Sequence, residues 1–171
     1  MGEPGYAAMG AGTGRGFAIR PYRDDDHRAI ADLFHSAVHA IADDLYSPAQ
    51  KQAWAPPPDY PHWQQRLART RPWVAVAGQE IAGFIELEAD GHIDCLYVHP
   101  DHQRKGVAGD LLDYVVDLAR ERGLTRLYTE ASRVARPVFE RRGFFLQTEH
   151  HVSRRGQTLI NYTMVFTLPP G

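Results

Sequence analysis

The segment Leu96-Tyr-Val-His-Pro-Asp-His-Gln-Arg-Lys-Gly-Val-Ala-Gly109 carries the clearest chemistry in the sequence. An apolar strand is cut by Pro100, a polar loop follows, and Gly106, Val107, Ala108 and Gly109 open an apolar helix. The first N–H groups of a helix lack internal partners and sit at the positive end of its dipole. A pyrophosphate can rest on those amides where side chains are absent, and Gly106, Ala108 and Gly109 are small enough to allow it. Arg104 and Lys105 add charge beside the same turn. The expected chemistry is the seating of a phosphorylated ligand on Gln103–Gly109. Two other phosphate loops do not fit. A Walker loop needs a Gly-Lys step, which the chain lacks, and a dinucleotide fingerprint follows an early strand, whereas this turn lies past mid-chain.

Other reactive residues point to less. His35 and His39 share a helix face at i, i+4, but no Glu follows His35 and no third ligand accompanies them, so no metal site is expected. Cys95 is the one cysteine, which excludes an internal disulfide and suits a reducing compartment.

Several elements must position the turn. Phe17–Arg20 reads as a strand stopped by Pro21. Asp24, Asp25 and Asp26 lead a helix whose Ile30, Phe34, Val38 and Ile41 form one buried face. Tyr46 to Tyr60, with Pro48 and Pro56-Pro57-Pro58, reads as an irregular connection holding a helical turn near Gln50–Trp54, and Pro61 opens a second helix. Trp73–Ala77, Ile81–Glu88 and Ile93–Val98 are strands, the latter two joined at Asp90-Gly91. A helix from Gly106 to Arg122, a strand at 124–129, a helix at 135–142 and strands at 144–150 and 158–166 complete the order. Hairpins mixed with crossovers predict an α/β domain: a mixed, mostly antiparallel twisted sheet of six to seven strands, helices on both faces. Residues 1–16, rich in glycine, read as a flexible tail before a single domain over 17–171.

Composition narrows the partners. With 43% apolar residues among 171, the chain can bury a substantial core. A net charge of −2 provides no basic field for nucleic acid or anionic membrane. No apolar run reaches the roughly 18 residues of a membrane span, and the start lacks the pattern of a signal peptide. A cytoplasmic protein is expected. The oligomeric state stays open, a homodimer included.

Two motifs together resemble the GNAT superfamily of N-acetyltransferases, from Ile19 to about Phe166. Val98, Pro100, Gln103, Gly106 and Ala108 match its strand-to-helix motif. Ser132, Ala135, Val138, Phe139, Gly143 and Phe144 match its second motif in spacing. The resemblance implies a GNAT-like fold with acetyl-CoA as cosubstrate and no metal. Leu96, Tyr97 and Val98 would offer backbone hydrogen bonds to the pantetheine arm, residues 104–109 would hold the pyrophosphate, and Ser132 and Phe139 would line the arm. Ser132 stands where the family usually has Asn. Phe139 stands where it usually has a Tyr that protonates the leaving thiolate, and phenylalanine donates no proton.

The activity so implied is direct acetyl transfer to a primary amine on a small molecule or peptide. An amine is mostly protonated at neutral pH, so a base must take its proton, and the oxyanion needs a donor such as a backbone N–H at 96–98. Strand alternation places His92, Asp94, Leu96 and Val98 on one face and Cys95 on the other, which argues against an acyl-cysteine intermediate. His92 falls where some family members carry a catalytic glutamate, and its ordinary pKa suits a base. Asp94 would serve as a base if buried, or would orient His92; Glu86 and Glu88 are weaker candidates. Tyr46, Trp54 and Tyr60 lie where the family often builds its acceptor site, with Glu86 facing it. Tyr46 and Tyr162 are alternative acids. The competing reading, motivated by Phe139, is a catalytically silent acyl-CoA sensor or interaction module.

Overall fold

Alternating apolar residues in the first half of the chain build an antiparallel meander: β1 (Ala18–Pro21), β2 (Trp73–Ala77), β3 (Glu80–Leu87) and β4 (His92–Val98). The computed structural model describes residues 17–169, so the segment read as a tail lies outside the described residues. Gly91 turns the β3–β4 hairpin at φ 100°, where a Cβ would also meet the Arg126 carbonyl oxygen at 2.2 Å. Only glycine meets both demands.

β4 continues into β5 (Arg126–Ala131) through α4 (Val107–Glu121), and β4–β5 is the parallel pair of the sheet. β7 (Gln157–Thr167) pairs with β5, and β6 (Phe145–Arg154) forms the outer edge. The strand order is β1-β2-β3-β4-β5-β7-β6, the mixed, mostly antiparallel seven-stranded sheet expected from the sequence.

Helices cover both faces. On one face α4 buries Val107, Leu111, Leu112, Val115, Val116 and Ala119 at helical spacing, and α5 (Arg136–Arg141) adds Phe139. Each fully buried large aliphatic side chain contributes about 1.5–3 kcal/mol. The opposite face carries α1 (His27–His39) and α3 (Tyr60–Thr70), through Ile30, Leu33, Trp63 and Leu67. Between them α2 (Pro48–Trp54) starts with a reciprocal Ser47–Gln50 cap. Its buried Lys51 donates to the Ile41 carbonyl at 2.6 Å and to Asp43 at 2.7 Å, closing the C-terminal end of α1. No helix among the described residues is long and apolar enough to cross a membrane.

Two irregularities shape the site. The β4–β5 ladder holds only His92↔Tyr128 and Ile93↔Thr129, after which the strands part. The Thr129 hydroxyl donates to the Ile93 carbonyl at 2.8 Å, a buried latch at the fork. The β3–β4 register steps from Ile85↔Leu96 to Leu87↔Ile93, so β4 carries one extra residue. That bulge reverses the alternation expected for β4.

Candidate active site

Past the fork, the edge of β4 that faces β5 has no strand partner as far as Val98. An extended ligand can add there as a strand does. A cavity of about 440 Å³ runs from that edge to the start of α4. Leu96, Tyr97 and Val98 form one wall, Gln103, Arg104, Gly106, Val107, Ala108 and Gly109 another, and Ser132 lies opposite. Of the sequence-derived cofactor residues, Lys105 and Phe139 fall outside this lining. Gly106 caps α4 at φ 84°, directing the free amides of a 15-residue helix toward the cavity. Gly109 makes room for something else: a Cβ there would meet the Arg142 guanidinium at 2.2 Å, and Arg142 is held by Asp113 at 3.0 Å. Arg141, which sequence reasoning missed, joins Arg104 on the wall. Nothing in its spacing from the glycine turn marks it. Backbone donors, arginines and an open strand edge fit a pyrophosphate joined to an amide-bearing arm.

A second cavity of about 230 Å³ meets the first at Trp54, Leu96, Tyr97, Ser132 and Ala135. Asp94 and Glu130 line it, one from each strand, as the first residues beyond the last β4–β5 pair. Tyr46, Phe139, Arg154 and Asn161 complete its polar and aromatic walls. Phe139 is 1% exposed and packs edge-on against Phe144 at 5.0 Å, so it serves the core and the cavity wall together.

The bulge corrects the expected faces. Asp94 and Cys95, neighbours in sequence, both reach Arg66 of α3: its Nη2 donates to Asp94 at 2.9 Å and to the Cys95 sulfur at 3.1 Å. Leu96 and Val98 pack instead with Ile93 in the α4-side core. His92 and Asp94 therefore do not share a face with Leu96 and Val98, and Cys95 does not oppose Asp94. Glu86 is also not where the sequence suggested. It is fully buried beneath α3, accepting from Arg66 at 2.6 Å and Thr70 at 2.7 Å, and lines neither cavity. Glu86, Asp94 and Cys95 converge as metal ligands might, with ligand atoms within 4.8 Å, yet the group they hold is the Arg66 guanidinium. Burial drives the Cys95 thiol well above its ordinary pKa, and Glu86 pushes the same way, so it is a poor nucleophile.

His92 lies just behind the second cavity and does not line it. Its Nδ1 meets Glu88 at 2.5 Å, its Nε2 meets Glu130 at 2.6 Å, and its ring stacks on Tyr128. Burial favours the neutral ring, but the two carboxylate hydrogen bonds outweigh it and raise the His92 pKa. Tyr46 is likewise committed. Its hydroxyl donates to the Ile160 carbonyl at 3.0 Å and accepts from the Arg133 N–H at 3.0 Å. Trp54 sits edge-on against Tyr46 at 5.2 Å and against the partly buried Tyr97 at 6.4 Å. Tyr60 bonds Asp32 and lines neither cavity.

A model of the GNAT acetyltransferase domain matches residues 42–166. The chain belongs to the GNAT acetyltransferase family. It is 36% identical over 146 residues to an uncharacterized N-acetyltransferase, YafP, of Escherichia coli, covering 85% of this chain and 93% of that one. A GCN5-related N-acetyltransferase structure from Rhodopseudomonas palustris superposes with a TM-score of 0.83 at 34% identity, over 88% of this chain and 95% of the other. A putative acetyltransferase, yncA, from Salmonella typhimurium, solved with its cofactor acetyl-CoA, shares the fold at a TM-score of 0.68 and 20% identity, over 90% and 95% of the chains. As a GNAT member this protein is an acetyl-CoA-dependent N-acetyltransferase.

Proposed function

We propose that this GNAT enzyme moves acetyl directly from acetyl-CoA to a primary amine carried by a small molecule or peptide. The observation that carries the reading is the meeting of the two cavities at Leu96 and Tyr97. The larger has an anion seat at its far end, and the smaller has carboxylates at its floor. The pantetheine arm would lie along Leu96–Val98, with Gln103–Gly109, Arg104 and Arg141 around the phosphates. A backbone N–H of the 96–98 edge would face the oxyanion. Asp94, Glu130, Tyr46 and Trp54 suit an amine that arrives as a cation on an apolar stem. Direct transfer is favoured over a cysteine intermediate because Cys95 is buried, bonded to Arg66 and held protonated. The lone buried thiol also supports a cytoplasmic setting.

Thiol release from acetyl-CoA over a panel of amines tests this, with the Gly106→Val protein as control. Turnover with at least one amine, lost in the variant, is expected. The second reading, a silent acyl-CoA sensor, rests on Phe139 and predicts tight acetyl-CoA binding with no thiol release from any amine.

A further inference from the structure

The proton that an amine must lose needs an acceptor at the cavity floor and a way out. Two carboxylates stand there, and their partners differ in kind. Asp94 bonds Arg66, which also holds Glu86 and Cys95 and does not give up a proton at any working pH. Glu130 bonds His92, whose ring can lose and regain one. Oε1 of Glu130 takes the His92 bond, while Oε2 makes no other hydrogen bond among the described residues. His92 in turn reaches Glu88, whose side chain is 50% exposed. Asp90 accepts from the His92 backbone N–H, leaving both ring nitrogens to the two glutamates.

We propose that Glu130 is the catalytic residue that deprotonates the amine, and that His92 is a positioning residue linking it to Glu88 and bulk water. This rests on the direct-transfer reading above. The ammonium gives one proton to Glu130, and His92 passes its Nδ1 proton by way of Glu88 to solvent while taking the Glu130 proton at Nε2. The neutral nitrogen attacks the thioester carbonyl carbon, the C–N bond forms, and the C–S bond breaks. The second nitrogen proton goes to the departing thiolate and the third stays on the amide. The sum is one amine cation and one thioester converted to amide, thiol and one proton in water. No separate acid is required, which accommodates Phe139. Asp94, fixed by Arg66, acts as a counter-charge that holds the ammonium.

The test uses two amines of nearly one shape: phenethylamine, cationic at pH 8, and its β,β-difluoro analogue, largely neutral there. Glu130→Gln is expected to lose about 100-fold or more in kcat/KM with phenethylamine and less than about threefold with the fluorinated amine. His92→Leu should follow the same pattern with a loss of about tenfold, and His92→Gln, which keeps a donor toward Glu130 but cannot pass a proton on, should recover little of it. Equal losses with both amines would mean that Glu130 only shapes the cavity and would overturn the assignment. An unaffected Glu130→Gln enzyme would overturn it as well. A wild-type protein that binds acetyl-CoA but releases no thiol with these or any other amine of the panel would remove the direct-transfer reading, and the assignment with it.

Discussion

The two cavities that meet at Leu96 and Tyr97 are built in different ways. The proposed cosubstrate side is mostly backbone: an unpartnered strand edge and the free amides at the start of α4, cleared by Gly106 at φ 84°. The proposed acceptor side is mostly side chains, contributed by α2, β4, β5, α5, β6 and β7. A backbone site needs only the right turn at the right place, so it tolerates many side chains and serves a ligand common to a whole family. A side-chain site depends on which residues a fork and a bulge bring together, and it is where one member can differ from another. Substitutions should divide accordingly. Those in the second region should alter chemistry or local stability while leaving acetyl-CoA binding in place.

The largest expected effect lies behind the acceptor cavity. Arg66→Leu leaves Glu86 fully buried without its guanidinium, which is expected to cost about 3–5 kcal/mol in urea unfolding. Adding Glu86→Gln should restore part of that loss. No change in stability with Arg66→Leu would contradict the role given to this pair.

Next comes the fork. Thr129→Val keeps the shape but leaves the buried Ile93 carbonyl without the latch, for an expected loss of about 1–2 kcal/mol. Acetyl-CoA affinity should barely move, since the latch lies at the acceptor end. A large loss of affinity would show that the two regions are not separable.

The sequence made the first region legible and the second only in fragments. Residues 96–109 are local, so strand, breaker, small residues and helix could be read in a line, and each fell where expected. The helices and strands were equally readable because their periodicity is local. The bulge in β4 was not. It follows from pairing with β3, and it moved Cys95 beside Asp94 and turned Leu96 away from them. Glu130 escaped notice because its meaning arises from lying opposite Asp94 across a fork 36 residues later in the chain. Arg66, on α3, has no motif at all; it matters because Glu86 is buried beneath it. His92 stands out in the sequence as a candidate base, but its two carboxylate partners, 4 and 38 residues away, are not legible there and engage both of its ring nitrogens.

Those partners set a pH dependence. The His92 pKa is raised in the folded protein above an unfolded value near 6.5. The protonated ring therefore adds stability below the unfolded value, and that contribution fades as pH rises through the folded value. Imidazole NMR should show a midpoint above 6.5 that falls in Glu88→Gln. The same variant should be more destabilised at pH 5.5 than at pH 8.5. A midpoint at or below 6.5 would break the link drawn between His92 and the two glutamates.

The smallest effect is expected at Phe139. Phe139→Tyr restores the side chain usual in the family, and thiol release should stay within about threefold of wild type, because on the proposed route the thiolate takes its proton from the amine. A rise of 100-fold would show that the absent hydroxyl limits the reaction.

The contrast between the two cavities can be tested most directly by calorimetric titration of acetyl-CoA into the wild-type, Gly106→Val and Glu130→Gln proteins. One site should bind in the wild type, Glu130→Gln should bind alike, and Gly106→Val should weaken binding by about 100-fold as a side chain enters the anion seat. No heat with the wild type, or unchanged binding in Gly106→Val, would contradict a cosubstrate site built from the backbone at the start of α4.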